Sequence, residues 1–204
     1  FRFVAAHAEL VEDVLDKARF QILAERHGLP VPSGRRFDPR AIEPAQLGLR
    51  FPLVIKPLTR GDRRNDVFRR HGVLYADNPE TLRALWPQLA ALGHDLLAQE
   101  FVHGSEARIE SYHCYVDPRG RIAGEFAGRK IRTDPHRFGR TTALEITETA
   151  DVRSHGRDIV ERLGLTGVAK LDFKRDMQGQ LKLLKINPRF TLWHHPGALA
   201  GVNI

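Results

Sequence analysis

An α+β fold in two lobes, with antiparallel sheets and flanking helices, is predicted from three observations. Strand-like apolar runs are joined by tight turns at Asp117-Pro118-Arg119-Gly120 and Asp176-Met177-Gln178-Gly179, which makes hairpins. Segments of helical period fall among these runs without regular strand–helix alternation, which argues against a doubly wound parallel sheet. A length of 204 residues, 42% apolar and 28% charged, suits one domain or two small lobes sharing a core.

In chain order, Leu10, Val11, Val14, Leu15, Phe20, Ile22 and Leu23 predict a helix over 6–26, stopped by His27-Gly28 and followed by an extended run at Leu29-Pro30-Val31-Pro32. Residues 33–50 read as a connection with one short helix. Phe51 to Pro57 is a buried strand ending in Lys56, and the charged stretch Leu58–His71 is a mobile loop or hairpin tip. Gly72–Tyr75 is a strand, and Asn78-Pro79-Glu80 opens a helix carrying Leu82, Leu85, Trp86, Leu89 and Leu92. Strands follow at 96–102, 107–116 and 121–126, then polar strand ends and a long loop over 127–148, a helix over 152–163, and a final hairpin of 167–174 with 181–187. The units expected are 1–45, an opening helix with its connection; 46–102, a small lobe; and 103–204, a large lobe. The apolar, turn-like end at Gly201–Ile204 reads as that of a fragment.

The lone Cys114 excludes an internal disulfide and a multi-thiolate zinc site, and makes a reducing cytoplasm the default. It reads as a small buried residue in a strand. No run approaches the roughly 20 apolar residues of a membrane span, so no membrane partner is expected. A net charge of +7 favours an anionic partner in general. The basic residues are scattered among acids and lack aromatic interleaving, so nucleic acid is not the expected partner. Of the basic residues 25 are Arg and only 7 are Lys, which turns attention to Lys56, Lys170 and Lys185 beside apolar strands. Asp13, Asp16, Glu145 and Glu148 are spaced as helix-face acids. His194 and His195, read as neighbours on a strand, face opposite ways and do not ligate jointly.

Asp172 and Asn187 sit on the two strands of the last hairpin, where both can reach a common cleft. An acid and an amide so placed can hold Mg²⁺ against nucleotide phosphates, though such a pair also fits a solvated turn. Several segments taken together resemble the ATP-grasp superfamily of carboxylate-activating ligases. They are Asp16-Lys17 before a helix closing at Gly28-Leu29-Pro30-Val31-Pro32, the strand ending at Lys56-Pro57, Gln99-Glu100-Phe101-Val102-His103-Gly104-Ser105-Glu106, and Lys170-Leu171-Asp172 followed by Lys185-Ile186-Asn187-Pro188-Arg189. Gly128-Arg129-Lys130-Ile131-Arg132 with Pro135 and Gly139 most resembles the D-aspartate ligase-like carboxylate-amine ligases within it.

The resemblance implies an ATP-grasp fold with nucleotide in the cleft between the lobes. It places Lys17 and Lys56 on the phosphates, Gln99, Glu100, Phe101 and Val102 along the adenine, and Glu106 on the ribose. Asp172 and Asn187 would hold Mg²⁺, Lys170 and Arg189 would act at the reacting centre, and Arg129, Lys130 and Arg132 would hold a substrate carboxylate. The activity implied is ATP-dependent joining of a small-molecule carboxylate to an amine through an acyl-phosphate, with a homo-oligomer left open. Two departures stand out. Lys185 replaces the family's metal-bridging glutamate, which favours as alternatives a cation substitute, an impaired nucleotide-binding module or an introduced change. The loop after Lys56 has only Gly61 where relatives carry a glycine-rich cover, although Arg60, Arg63 and Arg64 could reach phosphate.

Overall fold

The computed structural model describes residues 4–59, 66–69 and 72–204. Where the apolar period predicted one opening helix there are two, α1 (Ala8–Leu15) and α2 (Lys17–Arg26), broken at Asp16. The Asp16 backbone is extended, and its carboxylate accepts from the N–H groups of Ala18 at 2.8 Å and Arg19 at 2.9 Å. Asp16 is therefore a cap rather than a helix-face acid, because only a residue just outside a helix can satisfy its orphan amide donors.

The small sheet contains β1 (Gly34–Phe37), β2 (Leu53–Pro57), β3 (Leu74–Ala76) and β4 (Leu96–Glu100), ordered β1-β4-β2-β3 and antiparallel throughout. Between β2 and β3 lies the short helix α3 (Asp66–Arg69); of the loop expected over 58–71, residues 60–65 and 70–71, including Gly61 and Arg60, Arg63 and Arg64, lie outside the described residues. One face is covered by α4 (Pro79–Ala91), whose Leu82, Trp86 and Leu89 pack on Phe37, Leu53, Ile55 and Ala98. The strand expected at 29–32 is instead a connection: Pro30 and Pro32 remove two ladder donors, and the Pro30 carbonyl accepts from Leu183 N–H at 2.8 Å. β1 arises in the stretch read as connection, its one buried residue, Phe37, being too little apolar signal to mark it. The short helix expected there is a 3₁₀ turn, Pro44–Leu47.

The large sheet contains β5 (Ile109–Val116), β6 (Ile122–Asp134), β7 (Arg140–Thr147), β8 (Gly167–Arg175) and β9 (Leu181–Asn187), ordered β7-β6-β5-β8-β9 and antiparallel. The loop expected over 127–148 is mostly a long hairpin. Its outer strand β7 has no fully buried residue and β6 is bulged near Ile131, so neither shows the alternation of a half-buried strand. Helix α5 (Ala150–Arg162) packs on one face with α1 and α2, enclosing Phe20, Leu23, Tyr112, Cys114, Ile159, Leu171 and Phe173. Gly156 lets α5 approach: a Cβ there would lie 2.3 Å from the Tyr112 ring. Cys114 is fully buried as expected, and burial pushes its thiol up to about 12. His194 opens a helix, α6 (His194–Leu199), which corrects the strand reading of the His194-His195 pair. Among the described residues no helix is long and apolar enough to cross a membrane.

Candidate active site

The face of the large sheet turned away from α1, α2 and α5 forms a charged floor, with α6 packed over its Phe126–His113 end. Cross-strand register sets three rows on it: Ile109, Lys174 and Lys182; then Gly128, Ser111, Asp172 and Lys185; then Phe126, His113, Lys170 and Asn187. Lys130 lies two residues beyond Gly128 on the same face of β6. Five of the seven lysines of the chain thus share one face, whereas eleven of the described arginines pair with acids elsewhere.

Asp172, 2% exposed, is the anionic centre of this floor. Lys170 Nζ lies 3.1 Å from its Oδ1 and Lys185 Nζ 3.3 Å from its Oδ2, and the Ser111 hydroxyl donates to Oδ1 at 2.6 Å. Burial pushes the carboxyl up, but Lys170, Lys185, Lys130 and the Ser111 bond outweigh it and hold it well below the usual range. Burial likewise lowers the Lys170 and Lys130 ammonium groups, against the pull of Asp172. Lys170 also rests 4.2 Å from the centre of the Trp193 ring, which stacks on His113; His113 stacks in turn on Phe126, with ring centres 4.4 Å apart. Gly128 admits this wall, since a Cβ there would sit 2.8 Å from the indole.

The small sheet faces this floor with Lys56, Gln99 and the extended continuation at Phe101. Lys56 Nζ donates to Gln99 Oε1 at 2.5 Å, and Gln99 Nε2 donates to Gln21 Oε1 at 3.0 Å. Glu100 is held by Arg50 at 2.8 Å; burial raises its carboxyl, and the bonds from Arg50 lower it further. Glu100 N–H donates to Ser33 O and Phe101 N–H to Pro52 O, each at 2.9 Å, so Val102 alone of these three has an N–H without a partner among the described residues. A cavity of about 250 Å³ opens here, lined by Ser33, Glu100, Phe101, Val102 and Lys182 among others. Overhead, Phe138 at the tip of the β6–β7 hairpin contacts Phe101 and Tyr75, with ring centres 6.2 and 6.5 Å apart, and so joins the two lobes.

Of the residues expected at the site, Lys56, Gln99, Glu100, Phe101, Val102, Lys130, Lys170, Asp172 and Asn187 border this cleft. Glu106 stands in a 3₁₀ turn between the lobes, close enough to act electrostatically on Lys130 and Lys174. Lys17 ties the start of α2 to the end of β2, donating to Pro57 O at 2.5 Å and Leu58 O at 3.1 Å. Three expected site residues, Arg129 and Arg132 for the substrate and Arg189 for the reacting centre, are not brought together with the rest. Arg129 points to the helix-covered face, one residue out of phase with Lys130, and pairs with Glu145 across the ladder. Arg132 lies beyond the bulge and donates to the Thr142 hydroxyl at 3.1 Å, while the exposed Arg189 donates to Phe190 O at 3.0 Å. Arg129 lines a larger depression of about 780 Å³ on the helix-covered side, where Arg175 and Glu110 are likewise paired, so the greater cavity is not where the free charge lies. Sequence reading missed Ser111, Lys174, Lys182 and Trp193; for Lys174 the signal was present, in the i, i+2, i+4 spacing of Lys170, Asp172 and Lys174 on one strand face.

The arrangement suits a polyanionic ligand, with ammonium groups on the floor and an open amide and aromatic ring at the connection between the lobes. A resident divalent cation does not fit as the residues stand. Asp172 is the floor's one carboxylate, both its oxygens lie beside ammonium groups, and no group of three metal-ligating side chains occurs among the described residues. At the expected Mg²⁺ pair of Asp172 and Asn187, Lys185 already supplies a positive charge at Oδ2.

No family model matches the chain. It is 28% identical over 179 residues to a D-alanine–D-alanine ligase of Alkalilimnicola ehrlichii, covering 85% of this chain and 55% of that protein. The ligase of the same name from Methylococcus capsulatus is 24% identical over 187 residues, with the same two shares, so the chain spans about half the length of these relatives. Among solved structures, the D-alanine–D-alanine ligase of Coxiella burnetii superposes with a TM-score of 0.71 at 14% identity, over 97% of this chain and 56% of that one. A biotin carboxylase–ATP complex from Campylobacter jejuni gives 0.73 at 15% identity, over 96% and 45%. An ADP complex of N5-carboxyaminoimidazole ribonucleotide synthetase gives 0.68 at 17% identity, over 91% and 48%.

Proposed function

From an ATP-grasp fold whose curated relatives are named D-alanine–D-alanine ligases, we propose that this chain is the nucleotide-binding and reacting unit of an ATP-dependent carboxylate-amine ligase. The observation that carries the proposal is the cleft floor, where five lysines share one face and three of them, Lys170, Lys185 and Lys130, stand around the buried Asp172. A carboxylate does not react with an amine at neutral pH until its oxygen is converted to a leaving group. Attack of the carboxylate oxygen on the γ-phosphorus breaks the bond to the β–γ bridging oxygen and releases ADP. The amine nitrogen then attacks the acyl carbon, breaks the C–O bond and expels phosphate, which carries away the amine's proton. Both steps pass through concentrated negative charge, so preorganised cations contribute most of what the protein supplies. Lys185 and Lys130 face the phosphates in this reading. Lys170, held between Asp172 and Trp193, steadies the oxyanion of the tetrahedral intermediate.

The Lys185–Asp172 pair supports a second reading, an ATP-binding module with impaired turnover. One experiment separates the two. ATP is titrated calorimetrically with and without Mg²⁺ on this chain and on Lys185→Glu, alongside an ADP-release assay over a panel of carboxylates and amines. Ligase activity predicts ADP release that requires both substrates. Absence of release across the panel, with ATP binding unchanged by Mg²⁺ and made metal-dependent by Lys185→Glu, favours the module. Absence of ATP binding overturns both.

A further inference from the structure

Lys174 is 3% exposed, yet no carboxylate among the described residues pairs with it; its one close partner is the Phe101 ring, 4.5 Å from Nζ to the ring centre. The neighbouring charges are Glu106, which is attractive, and Arg137, Lys130 and Arg108, which are repulsive. An ammonium group taken out of water without a counter-charge is costly, and a ring face replaces only part of its hydration. Apolar residues of similar length would fill the same space without that cost. The position is also specific: Lys174 is two residues along β8 from Asp172, about 7 Å toward the connection between the lobes. Its row therefore lies beside Phe101, away from the row that holds His113, Lys170 and Asn187.

We propose that Lys174 is a nucleoside-binding residue, its ammonium donating to an acceptor atom of the base or ribose while the Phe101 ring and the lysine stem hold the face of the base. The inference rests on the nucleotide reading above and adds a contact that the motifs did not supply. Phe101 forms one wall, Val102 N–H reads the base edge, and Lys174 reaches across from the large sheet. The ligand supplies the partner that the protein lacks.

A residue with this role destabilises the empty protein and strengthens the complex. Wild type, Lys174→Met and Lys174→Arg are compared by thermal unfolding without ligand and by calorimetric titration with ATP, adenosine and inorganic tripolyphosphate. Lys174→Met is expected to unfold at a higher temperature than wild type and to bind ATP and adenosine about tenfold more weakly, the loss of one charge-assisted hydrogen bond. Its affinity for tripolyphosphate stays unchanged, and Lys174→Arg retains part of the nucleoside affinity. Unchanged ATP and adenosine binding by Lys174→Met overturns the inference, as does a loss confined to tripolyphosphate, which would make Lys174 a phosphate contact. A wild type that binds none of the three probes overturns the nucleotide reading, and this inference with it.

Discussion

On the helix-covered face of the large sheet, Glu125 accepts hydrogen bonds from Tyr112 at 2.6 Å and from Arg153 at 2.9 Å, and pairs with Arg157. On the opposite face Asp172 stands among Lys170, Lys185 and Lys130. Each carboxylate has several cationic neighbours, but the cations differ in what they keep. Arg153 and Arg157 remain 30% and 53% exposed, so water carries much of their charge. Lys170 is 7% exposed, and Asp172 is its only carboxylate partner among the described residues. One face uses charge as a satisfied edge to an apolar core, whereas the other concentrates charge beyond what the protein neutralises. The difference is the physical ground for placing the proposed nucleotide on the lysine-rich face.

The sharpest way to break this comparison is to remove each carboxylate in turn. Asp172→Asn leaves Lys170 buried without an anion and is expected to cost about 3 kcal/mol of stability. Glu125→Gln leaves two arginines that are still partly in water and is expected to cost less, about 1 to 2 kcal/mol. Urea unfolding of the two variants measures both losses. Equal losses would show that the cleft lysines are no more dependent on their acid than the surface arginines are on theirs.

A smaller effect tests whether the helix-covered face is governed by packing. Gly156→Ala forces a methyl group to within 2.3 Å of the Tyr112 ring, and Tyr112 is fully buried. Overpacking of this kind is expected to cost about 2 kcal/mol while leaving ATP affinity unchanged. Urea unfolding with parallel calorimetry reads both quantities. A variant of undiminished stability would mean that α5 is not seated on the sheet as described, and altered ATP affinity would mean that the two faces are not separable.

Much of this asymmetry was legible in the sequence, and the limits have physical causes. Short apolar runs located β2, β4, β8 and β9, because buried strands leave a hydrophobic signature that propensity alone can read. The β6–β7 hairpin did not, since an outer strand with no buried residue has no alternation to detect. Asp16 was misread for a related reason: a capping acid and a helix-face acid have the same spacing, and only the extended backbone between α1 and α2 distinguishes them. The structure brings Asp172, Lys170, Asn187 and the Gln99–Val102 segment of the motifs to one cleft, because they lie on regular strands or run on directly from one. The motifs failed for Arg129 because strand alternation puts it on the opposite face from Lys130, and a bulge beyond it shifts the phase for Arg132. The strand spacing put Lys174 on the face of Lys170 and Asp172, but its burial without a carboxylate partner is a property of three dimensions.

The smallest expected effect concerns pH and belongs to the helix-covered face. Burial pushes the Glu125 carboxyl up, but hydrogen bonds from Arg157, Tyr112 and Arg153 pull it down further, to about 2 from an ordinary 4.5. A carboxyl held lower in the folded chain than in the unfolded one contributes stability above the unfolded value and loses it as pH falls through the folded one. The gap between wild type and Glu125→Gln should therefore be constant above about pH 4.5 and close as pH falls toward about 2. Urea midpoints of both proteins across this range provide the measurement. A gap that persists unchanged at the acid end would mean that Glu125 contributes through its shape and hydrogen bonding alone, and that charge on the helix-covered face is even less important than the contrast with the cleft implies.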